Sequence, residues 1–294
     1  MNTENNNTLS VQGILPFLSN ELPQIQSGNF SERIFIFDSL ESTNNTAKEW
    51  AASGTGEHGT IVIADFQSAG KGRCGKSFYS PAGHGLYISL IIDPLQIGFS
   101  TPTLITAFAA VIVCEAIEAI SGKSPVIKWV NDVFLDSRKI CGILTESVTP
   151  LENTSFEGIA TQFIVLGIGI NFSTPIEEFP ENLKRTAGSL FGTGTPTTTR
   201  NHLAAELINR LLLSQYHQSE KKMLMKYKQK MFLLGKTVLV EGAGGSYEAT
   251  AVDVDEIGRL VVKKANGELQ PLSSGEVSIC PSGHWVLSAS QVIT

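Results

Sequence analysis

A glycine-rich basic segment holds residues well suited to binding an anion. Residues 67–77 read Gln-Ser-Ala-Gly-Lys-Gly-Arg-Cys-Gly-Lys-Ser, with three glycines and three cations in eleven residues. Backbone N–H groups in such a loop can converge on one anion, and Lys71, Arg73 and Lys76 add full positive charges. We therefore predict that the loop binds a phosphate or a carboxylate. A solvated basic turn is the alternative interpretation.

The same segment fits two nucleotide-binding patterns. Residues 70–77 match the P-loop pattern GxxxxGK[ST], and residues 70–75 match the dinucleotide pattern GxGxxG. Both patterns work because a helix begins directly after the loop and points its N-terminus at the phosphate. Here Pro81 and nearby glycines leave no room for a helix before a strand predicted at 86–92, and residues 65–69 separate the loop from the strand upstream. The sequence thus predicts an anion-binding loop outside a P-loop or Rossmann fold.

A second cationic segment spans residues 127–146. Lys128 and Lys139 flank a tight turn at 135–137, so both could reach one side of a sheet. Two lysines with the Asn131-Asp132 pair suit a nucleoside triphosphate, because lysines spread charge off phosphoryl oxygens while the carboxylate and amide hold Mg²⁺ or polar groups. A surface hairpin with ordinary charges is the alternative.

Hydrophobic runs between turn residues predict the elements that position these groups. Short strands are predicted at 34–37, 60–64, 86–92, 126–129, 133–135, 140–146 and 163–170. Helices are predicted at 11–22 with an interruption at Pro16, at 43–52, at 102–121 and at 203–232. Five further short strands are predicted at 238–240, 247–254, 260–264, 269–272 and 277–280. Their spacing is typical of a small β-barrel, with a boundary near residue 234.

Composition excludes several classes of protein. The 294 residues carry 22 Lys+Arg and 28 Asp+Glu, a net charge of −6, which argues against a main role in wrapping nucleic acid or anionic membrane. The apolar run 104–120 contains two glutamates and falls short of the roughly 20 apolar residues of a membrane span, and no signal peptide is evident. The cysteines show no CxxC spacing: Cys74, Cys114, Cys141 and Cys280. We expect a soluble cytoplasmic protein with reduced thiols and no zinc site.

Taken together, these segments resemble the biotin protein ligases. The family's motifs stand at Ser42-Thr43-Asn44, at Gln67 with the loop 70–81, at 128–132, at 139–146, at Gly167-Ile-Gly-Ile-Asn171 and at 275–278. Departures are few. Lys71 replaces the commoner Arg, which keeps the charge but loses bidentate geometry. Phe78 replaces the frequent Trp, and Val130 replaces Pro.

The resemblance implies a two-part architecture. We expect an α/β (α+β) catalytic domain with a mixed β-sheet, of the class II synthetase and biotin-ligase type, followed by a small SH3-like β-barrel. The implied division is 1–30 as a tail with a short helix, 31–234 as the catalytic domain and 235–294 as the C-terminal domain. Some relatives carry a winged-helix domain in front, but only ~35 non-basic residues precede the first strand here. We therefore expect no specific DNA binding and no membrane binding; a homodimer is one possible assembly.

The resemblance also implies the chemistry. Biotin's carboxylate attacks the α-phosphorus of ATP to form biotinyl-5′-AMP, and a lysine of a biotin carboxyl carrier protein, part of acetyl-CoA carboxylase or a related carboxylase, then takes the biotinyl group. ATP and biotin are the substrates and Mg²⁺ accompanies ATP, with its protein ligands left open. The implied biotin site is Ser42, Thr43, Asn44, Gln67, Lys71, Gly72, Arg73 and Lys139. The implied nucleotide site is Lys71, Arg73, Lys128, Asn131 and Asn171, and the implied catalytic residues are Arg73, Lys139 and Asp132.

Three other functions remain open from the sequence. A lipoate–protein ligase would share the fold, although the Arg-Arg-x-Ser-Gly-Gly-Gly motif associated with that family is absent. A P-loop ATPase would release phosphate steadily without biotin. A non-catalytic regulator would bind biotin without forming an adenylate.

Overall fold

A mixed seven-stranded sheet and an antiparallel five-stranded sheet form the framework of the protein. The computed structural model describes residues 7–22, 30–97, 101–149, 155–156, 159–160, 163–213, 219–242, 245–272 and 276–279. The strands of the first sheet are β1 Ile34–Leu40, β2 Ile61–Gln67, β3 Gly85–Ile92, β4 Val126–Lys128, β5 Asp132–Leu135, β6 Arg138–Val148 and β9 Phe163–Asn171. A separate short pair consists of β7 Ser155–Phe156 and β8 Ile159–Ala160.

The large sheet runs in the order β1-β2-β3-β9-β6-β5-β4. Strands β1 and β2 are parallel, and every other neighbouring pair is antiparallel. The expectation of a mixed sheet is therefore confirmed. One boundary argument was wrong: β2 continues to Gln67, so residues 65–69 do not separate the strand from the glycine-rich loop. What excludes a P-loop is the chain after the loop, which enters β3 without an intervening α-helix.

Six α-helices have both ends within the described ranges. They are α1 Val11–Ile14, α2 Thr43–Ser53, α3 Pro94–Ile97, α4 Pro102–Ser121, α5 Arg200–Leu213 and α6 Glu220–Lys230. The single helix predicted at 203–232 is wrong, because α6 begins anew after Ser219. The Ser219 side chain accepts a hydrogen bond from Lys222 N, a cap that the periodicity of the segment concealed. Residues 1–6 of the predicted tail lie outside the described ranges.

Helix α4 begins and ends where its sequence signals predict. Thr101 caps its N-terminus by accepting from Leu104 N, and Gly122 ends it with φ of 68° in the left-handed region. Within the described chain it is also the helix long and apolar enough to cross a membrane, but 72% of its most apolar stretch is buried inside the protein. It packs against α5, α6 and β6, so α4 is a core helix.

The two faces of the large sheet bury different partners. On β2, Ile61 and Ile63 belong to the main core with α4, while Val62 packs with Ala47 and Ala51 of α2. The same alternation continues on the neighbouring strands because successive side chains point to opposite faces. The α2 face is therefore the thinner of the two layers.

The small sheet follows α6. Its strands are β10 Thr237–Gly242, β11 Gly245–Val254, β12 Leu260–Lys263, β13 Leu269–Leu272 and β14 Glu276–Ile279, in the order β13-β12-β11-β10-β14. All its neighbouring pairs are antiparallel, as expected for the small SH3-like unit. Trp129 Nε1 donates to Gly258 O at 3.0 Å, which links this sheet to the strand β4 region.

Arg200, at the start of α5, ties three distant segments together. Its guanidinium donates to Asn7 O at 2.7 Å, to Gly85 O at 3.0 Å and to the Asp65 carboxylate. The side chain is only 4% exposed. Because the guanidinium and its acceptors are removed from water together, losing one partner leaves the others unsatisfied.

We expect Arg200→Ala to lower the free energy of unfolding by about 3 kcal/mol, since it strands a partly buried carboxylate. The matched control is Arg259→Ala, which breaks the more exposed ion pair with Asp255 and should cost less than about 1 kcal/mol. Urea denaturation measures both values. Equal losses for the two variants would contradict the role assigned to Arg200.

Candidate active site

The glycine-rich segment folds as a tight hairpin. Phe78 N donates to Gly70 O at 2.8 Å and Gly72 N donates to Lys76 O at 2.7 Å, closing the two arms. A Cβ on Gly70 would lie 2.5 Å from Phe78 O, so only glycine permits this approach. At the tip, Cys74 and Gly75 have φ of 54° and 73°, the left-handed region that reverses the chain. The hairpin projects its cations from the end of β2.

A chain of buried polar side chains lies beside the base of the hairpin. Gln67 Nε2 donates to Ser80 Oγ at 2.9 Å, and Gln67 Oε1 accepts from Thr43 N at 2.8 Å. Ser89 Oγ lies 2.8 Å from Thr43 Oγ1 and 2.6 Å from Asn44 Oδ1, close enough to donate to either. Such a fully partnered network fixes its members in one arrangement.

Glu146 anchors the far end of this chain. It accepts from Asn44 Nδ2 at 2.9 Å and from Lys48 Nζ at 2.6 Å. Partial burial raises the pKa of Glu146, but the hydrogen bonds from Lys48 and Asn44 outweigh burial and lower the pKa below its ordinary value. The carboxylate thus stays ionised and orients the Asn44 amide.

Glycines on adjacent strands form the floor of the site. In the sheet register Gly169 pairs with Tyr87 and with Gly142, while Gly167 pairs with Ser89. A Cβ on Gly167 would lie 2.0 Å from Asn44 Oδ1, and a Cβ on Gly169 would lie 2.7 Å from the Phe78 ring. Side chains are therefore absent at these positions because the polar chain and Phe78 approach the sheet backbone closely.

Above this floor lies a narrow cleft of about 20 Å³. Its lining is mostly uncharged: Ser42, Thr43, Asn44, Gln67, Lys71, Phe78, Tyr87, Gly142, Leu144, Gly167, Ile168 and Gly169. We call it the polar cleft. It presents hydroxyl and amide groups together with one cation, an arrangement suited to a polar group that lies beside a negative charge.

A larger cavity of about 330 Å³ adjoins the polar cleft and shares Lys71, Phe78, Gly142 and Leu144 with it. We call it the cationic cavity. Its charged lining consists of Lys71, Arg73, Lys76, Lys128, Lys139 and Asp132. Five cations face one carboxylate among the described residues that line it, which favours a polyanion.

Lys139 reaches the cationic cavity because β6 carries a bulge. Phe134 pairs with Lys139 but Val133 pairs with Cys141, so Ile140 is an extra residue. The bulge brings Lys139 to the same face as Gly142, whose Cβ would lie 3.4 Å from Lys139 Cε. The Lys139 ammonium then pairs with Asp132 at 2.7 Å.

Lys128 is held at an electrostatic cost. Burial lowers its pKa, the charge of Asp132 raises it again, and Lys139 and Lys76 lower it further, leaving a net decrease. A negatively charged ligand would reverse this effect by stabilising the ammonium. Across the cavity, Arg73 Nη1 donates to Asn131 Oδ1 at 3.2 Å and links the hairpin to the β4–β5 turn.

The structure brings almost all the predicted site residues to these two adjoining spaces. Asn171 is the exception: its Nδ2 donates to Gly188 O at 3.0 Å, behind the cavity wall. Of the motif at 275–278, Val277 lines the cationic cavity and Gly275 lies outside the described ranges. Sequence reasoning missed the supporting residues Ser89, Lys48 and Glu146. Glu146 lies in the 139–146 motif, but no neighbouring residue in the sequence indicates its partners on α2.

Comparison with known proteins bears on the same regions. Residues 36–171 match the biotin/lipoate A/B protein ligase family, and residues 233–279 match the biotin protein ligase C-terminal domain. The bifunctional ligase/repressor BirA of Bacillus spizizenii is 38% identical over 54% of this chain, but the alignment covers only 46% of that relative. The Mycobacterium tuberculosis biotin–[acetyl-CoA-carboxylase] ligase is 27% identical over 86% of this chain and 91% of its own length.

A solved structure has the same fold. The biotin protein ligase from Aquifex aeolicus, in complex with biotin and ATP, superposes with a TM-score of 0.69 at 27% identity. The match covers 84% of this chain and 98% of that one.

We expect Lys128 to lose its proton at lower pH than an ordinary lysine, because burial destabilises its ammonium. Asp132→Asn should lower the pKa of Lys128 further, since its carboxylate raises that pKa more than Glu241 does. Lysine side-chain NMR across a pH titration measures both effects. A pKa of Lys128 at or above the ordinary lysine value would contradict the assigned environment.

Proposed function

We propose that this chain is a biotin protein ligase, because residues 36–171 match the biotin/lipoate A/B protein ligase family and residues 233–279 match the biotin protein ligase C-terminal domain. It activates biotin with ATP to biotinyl-5′-AMP and transfers the biotinyl group to a lysine of a biotin carboxyl carrier protein. The proposed catalytic domain spans residues 31–234 and the C-terminal domain spans 235–294. The proposed setting is the cytoplasm.

The observation that carries this proposal is the meeting of two unlike spaces. The polar cleft and the cationic cavity share Lys71, Phe78 and the backbone at Gly142. A ligand whose uncharged ring lies in the polar cleft would present its carboxylate at the cationic cavity, where a triphosphate is favoured. Holding both reactants at one junction lowers the entropic part of the barrier.

The proposed residue roles follow the two spaces. Biotin contacts the hydroxyl and amide groups of Ser42, Thr43, Asn44 and Gln67, with Lys71, Gly72, Arg73 and Lys139 around its carboxylate. The nucleotide contacts Lys71, Arg73, Lys128, Asn131 and Asn171, whose amide also donates to Gly188 O. The polar cleft has room for about one water molecule, so biotin entry requires the side chains that line it to move apart.

In the first step a biotin carboxylate oxygen bonds to the α-phosphorus, and the bond from that phosphorus to the pyrophosphate oxygen breaks. Two anions must approach each other, so Lys139 and Arg73 stabilise the charge on both. In the second step the carrier amine attacks the acyl carbon and AMP leaves with the bonding electrons. Asp132, paired with Lys139, orients the incoming lysine.

The residues present fit a magnesium ion that arrives with ATP. Within the described chain there is no group of three or more His, Cys, Asp or Glu side chains that could hold a metal alone. Mg²⁺ commonly uses one or two carboxylates together with substrate phosphates and water. Asp132 and the Asn131 amide supply oxygen atoms beside the cationic cavity, and the ion would neutralise phosphate charge there.

The decisive test is ATP–pyrophosphate exchange with and without biotin. We expect exchange only when biotin is present and none with lipoate, followed by labelling of a biotin carboxyl carrier protein. Exchange supported equally by lipoate would indicate a lipoate–protein ligase. Steady phosphate release without biotin would indicate an ATPase, and biotin binding without exchange would indicate a regulator.

Lys139→Ala should reduce adenylate formation by about 100-fold or more, because one cation that bridges two anions contributes several kcal/mol in the transition state. Lys76→Ala, at the exposed tip of the hairpin, is the matched variant and should cost much less. A P-loop would require the opposite order, since its lysine stands beside the final glycine. Retention of more than about a tenth of wild-type adenylation by Lys139→Ala would refute its role.

Arg73→Gly should release biotinyl-AMP about tenfold faster, because the guanidinium is the fork that can tie the hairpin to the phosphate. The mixed anhydride reacts with water and free amines, so its retention protects it until the carrier binds. The measurements are the dissociation rate of the intermediate and the labelling of an unrelated lysine-rich protein. A variant that retains the intermediate and labels no bystander would show that Arg73 does not close the site.

A further inference from the structure

One wall of the cationic cavity comes from an irregular segment, residues 183–188. Leu183 and Thr186 line the cavity from this segment. The segment lies beside β6 like an added strand: Lys139 N donates to Thr186 O at 2.8 Å, and Gly188 N donates to Lys139 O at 2.9 Å. The position of this wall and the position of the Lys139 backbone are therefore set together.

Arg138 holds the same segment from the other side. Its Nη1 donates to Lys184 O at 2.6 Å and to Ala187 O at 3.0 Å. A Cβ on Gly188 would lie 2.6 Å from Arg138 Cβ, so the glycine permits the arginine stem to pack directly against the backbone. Arg138 thus satisfies two carbonyl groups that the short turns of the segment leave without partners in a helix or sheet.

Arg138 does not itself face the cationic cavity. It lines a separate cavity behind the wall, with Lys123, Thr174 and Phe179 among its neighbours. Alternation along β6 places Arg138 and Lys139 on opposite faces. Any effect of Arg138 on a bound nucleotide must therefore pass through the position of residues 183–188.

We propose that Arg138 is a positioning residue that fixes the 183–188 wall for nucleotide binding. The inference rests on the proposed function, since the nucleotide is the ligand assigned to the cationic cavity. A guanidinium suits this role because one terminal nitrogen carries two N–H groups in a fixed plane and can reach both carbonyls. No residue of 183–188 lines the polar cleft, and the wall reaches the proposed biotin site only through the Lys139 backbone, so the effect on the nucleotide should exceed the effect on biotin.

The test compares the affinities for two ligands by titration calorimetry. The probes are biotin and α,β-methylene-ATP, an analogue that cannot be cleaved at the α-phosphorus. We expect Arg138→Ala to weaken nucleotide binding about tenfold, because part of the free energy of the two charged hydrogen bonds to the wall is lost from nucleotide binding, with biotin binding within about twofold of wild type. Arg138→Lys keeps the aliphatic stem and the positive charge, so its nucleotide affinity should lie between those of wild type and Arg138→Ala. If the alanine variant does not fold, the lysine variant provides the test.

Two controls separate positioning from general stability. Lys184→Ala should leave both affinities unchanged, because Arg138 binds the carbonyl of residue 184 and not its side chain. Arg210→Ala removes ion pairs with Glu206 and Glu115 on the helices and should also spare both affinities. Unchanged nucleotide binding in both Arg138 variants, or equal weakening of biotin and nucleotide binding, would contradict the positioning role of Arg138. Either result would leave the proposed function intact. A wild-type protein that binds no nucleotide would overturn the proposed function as well.

Discussion

Mutual repulsion among cations is the constraint on which the site depends. Lys71, Arg73, Lys76, Lys128 and Lys139 surround one cavity, and Asp132 is the carboxylate that faces them. Burial lowers the pKa of Lys128 most, and the neighbouring charges of Lys139 and Lys76 lower it further. The hairpin and the strand ends hold these groups in place through backbone hydrogen bonds. A bound anion offsets the repulsion among these cations. The clustering of the cations therefore favours anion binding.

The polar cleft has a different constraint, because its uncharged polar groups are buried and each needs a hydrogen-bond partner. A hydroxyl and amide network can remain buried only if every member finds a partner. The glycines at 142, 167 and 169 let Asn44 and Phe78 approach the backbone of β6 and β9, while Glu146 and Lys48 close the end of the network. The same sheet therefore offers a neutral binding surface directly beside a strongly positive one. The difference in charge between the polar cleft and the cationic cavity therefore directs an uncharged group to one and an anionic group to the other, although the two spaces are joined.

Much of this architecture could be predicted from the sequence, where the signal is local. Thr101, Pro102 and Gly122 bound α4, and the glycine-rich segment forms a tight loop. The single helix at 203–232 was wrong because the Ser219 cap lay inside an amphipathic pattern. The motif predicts Asn171 at the nucleotide, and the sequence did not show that its amide donates to Gly188 O. The partners of Ser89, Glu146 and Arg138 lie 45 to 102 residues away in sequence, so only the strand register reveals them.

The bulge at Ile140 shows most clearly why pattern alone falls short. With strict alternation along β6, residues 142, 144 and 146 would share a face with Ile140, and Lys139 would point into the opposite layer with the core. An extra residue shifts the phase by one, so Ile140 is buried while Lys139 joins Gly142 at the cavity. The sequence at Ile140 does not indicate a bulge, because the bulged position lacks the glycine that is typical of some bulge classes. Lys139 therefore matches the motif spacing, but its place at the cavity depends on the unpaired residue Ile140 beside it.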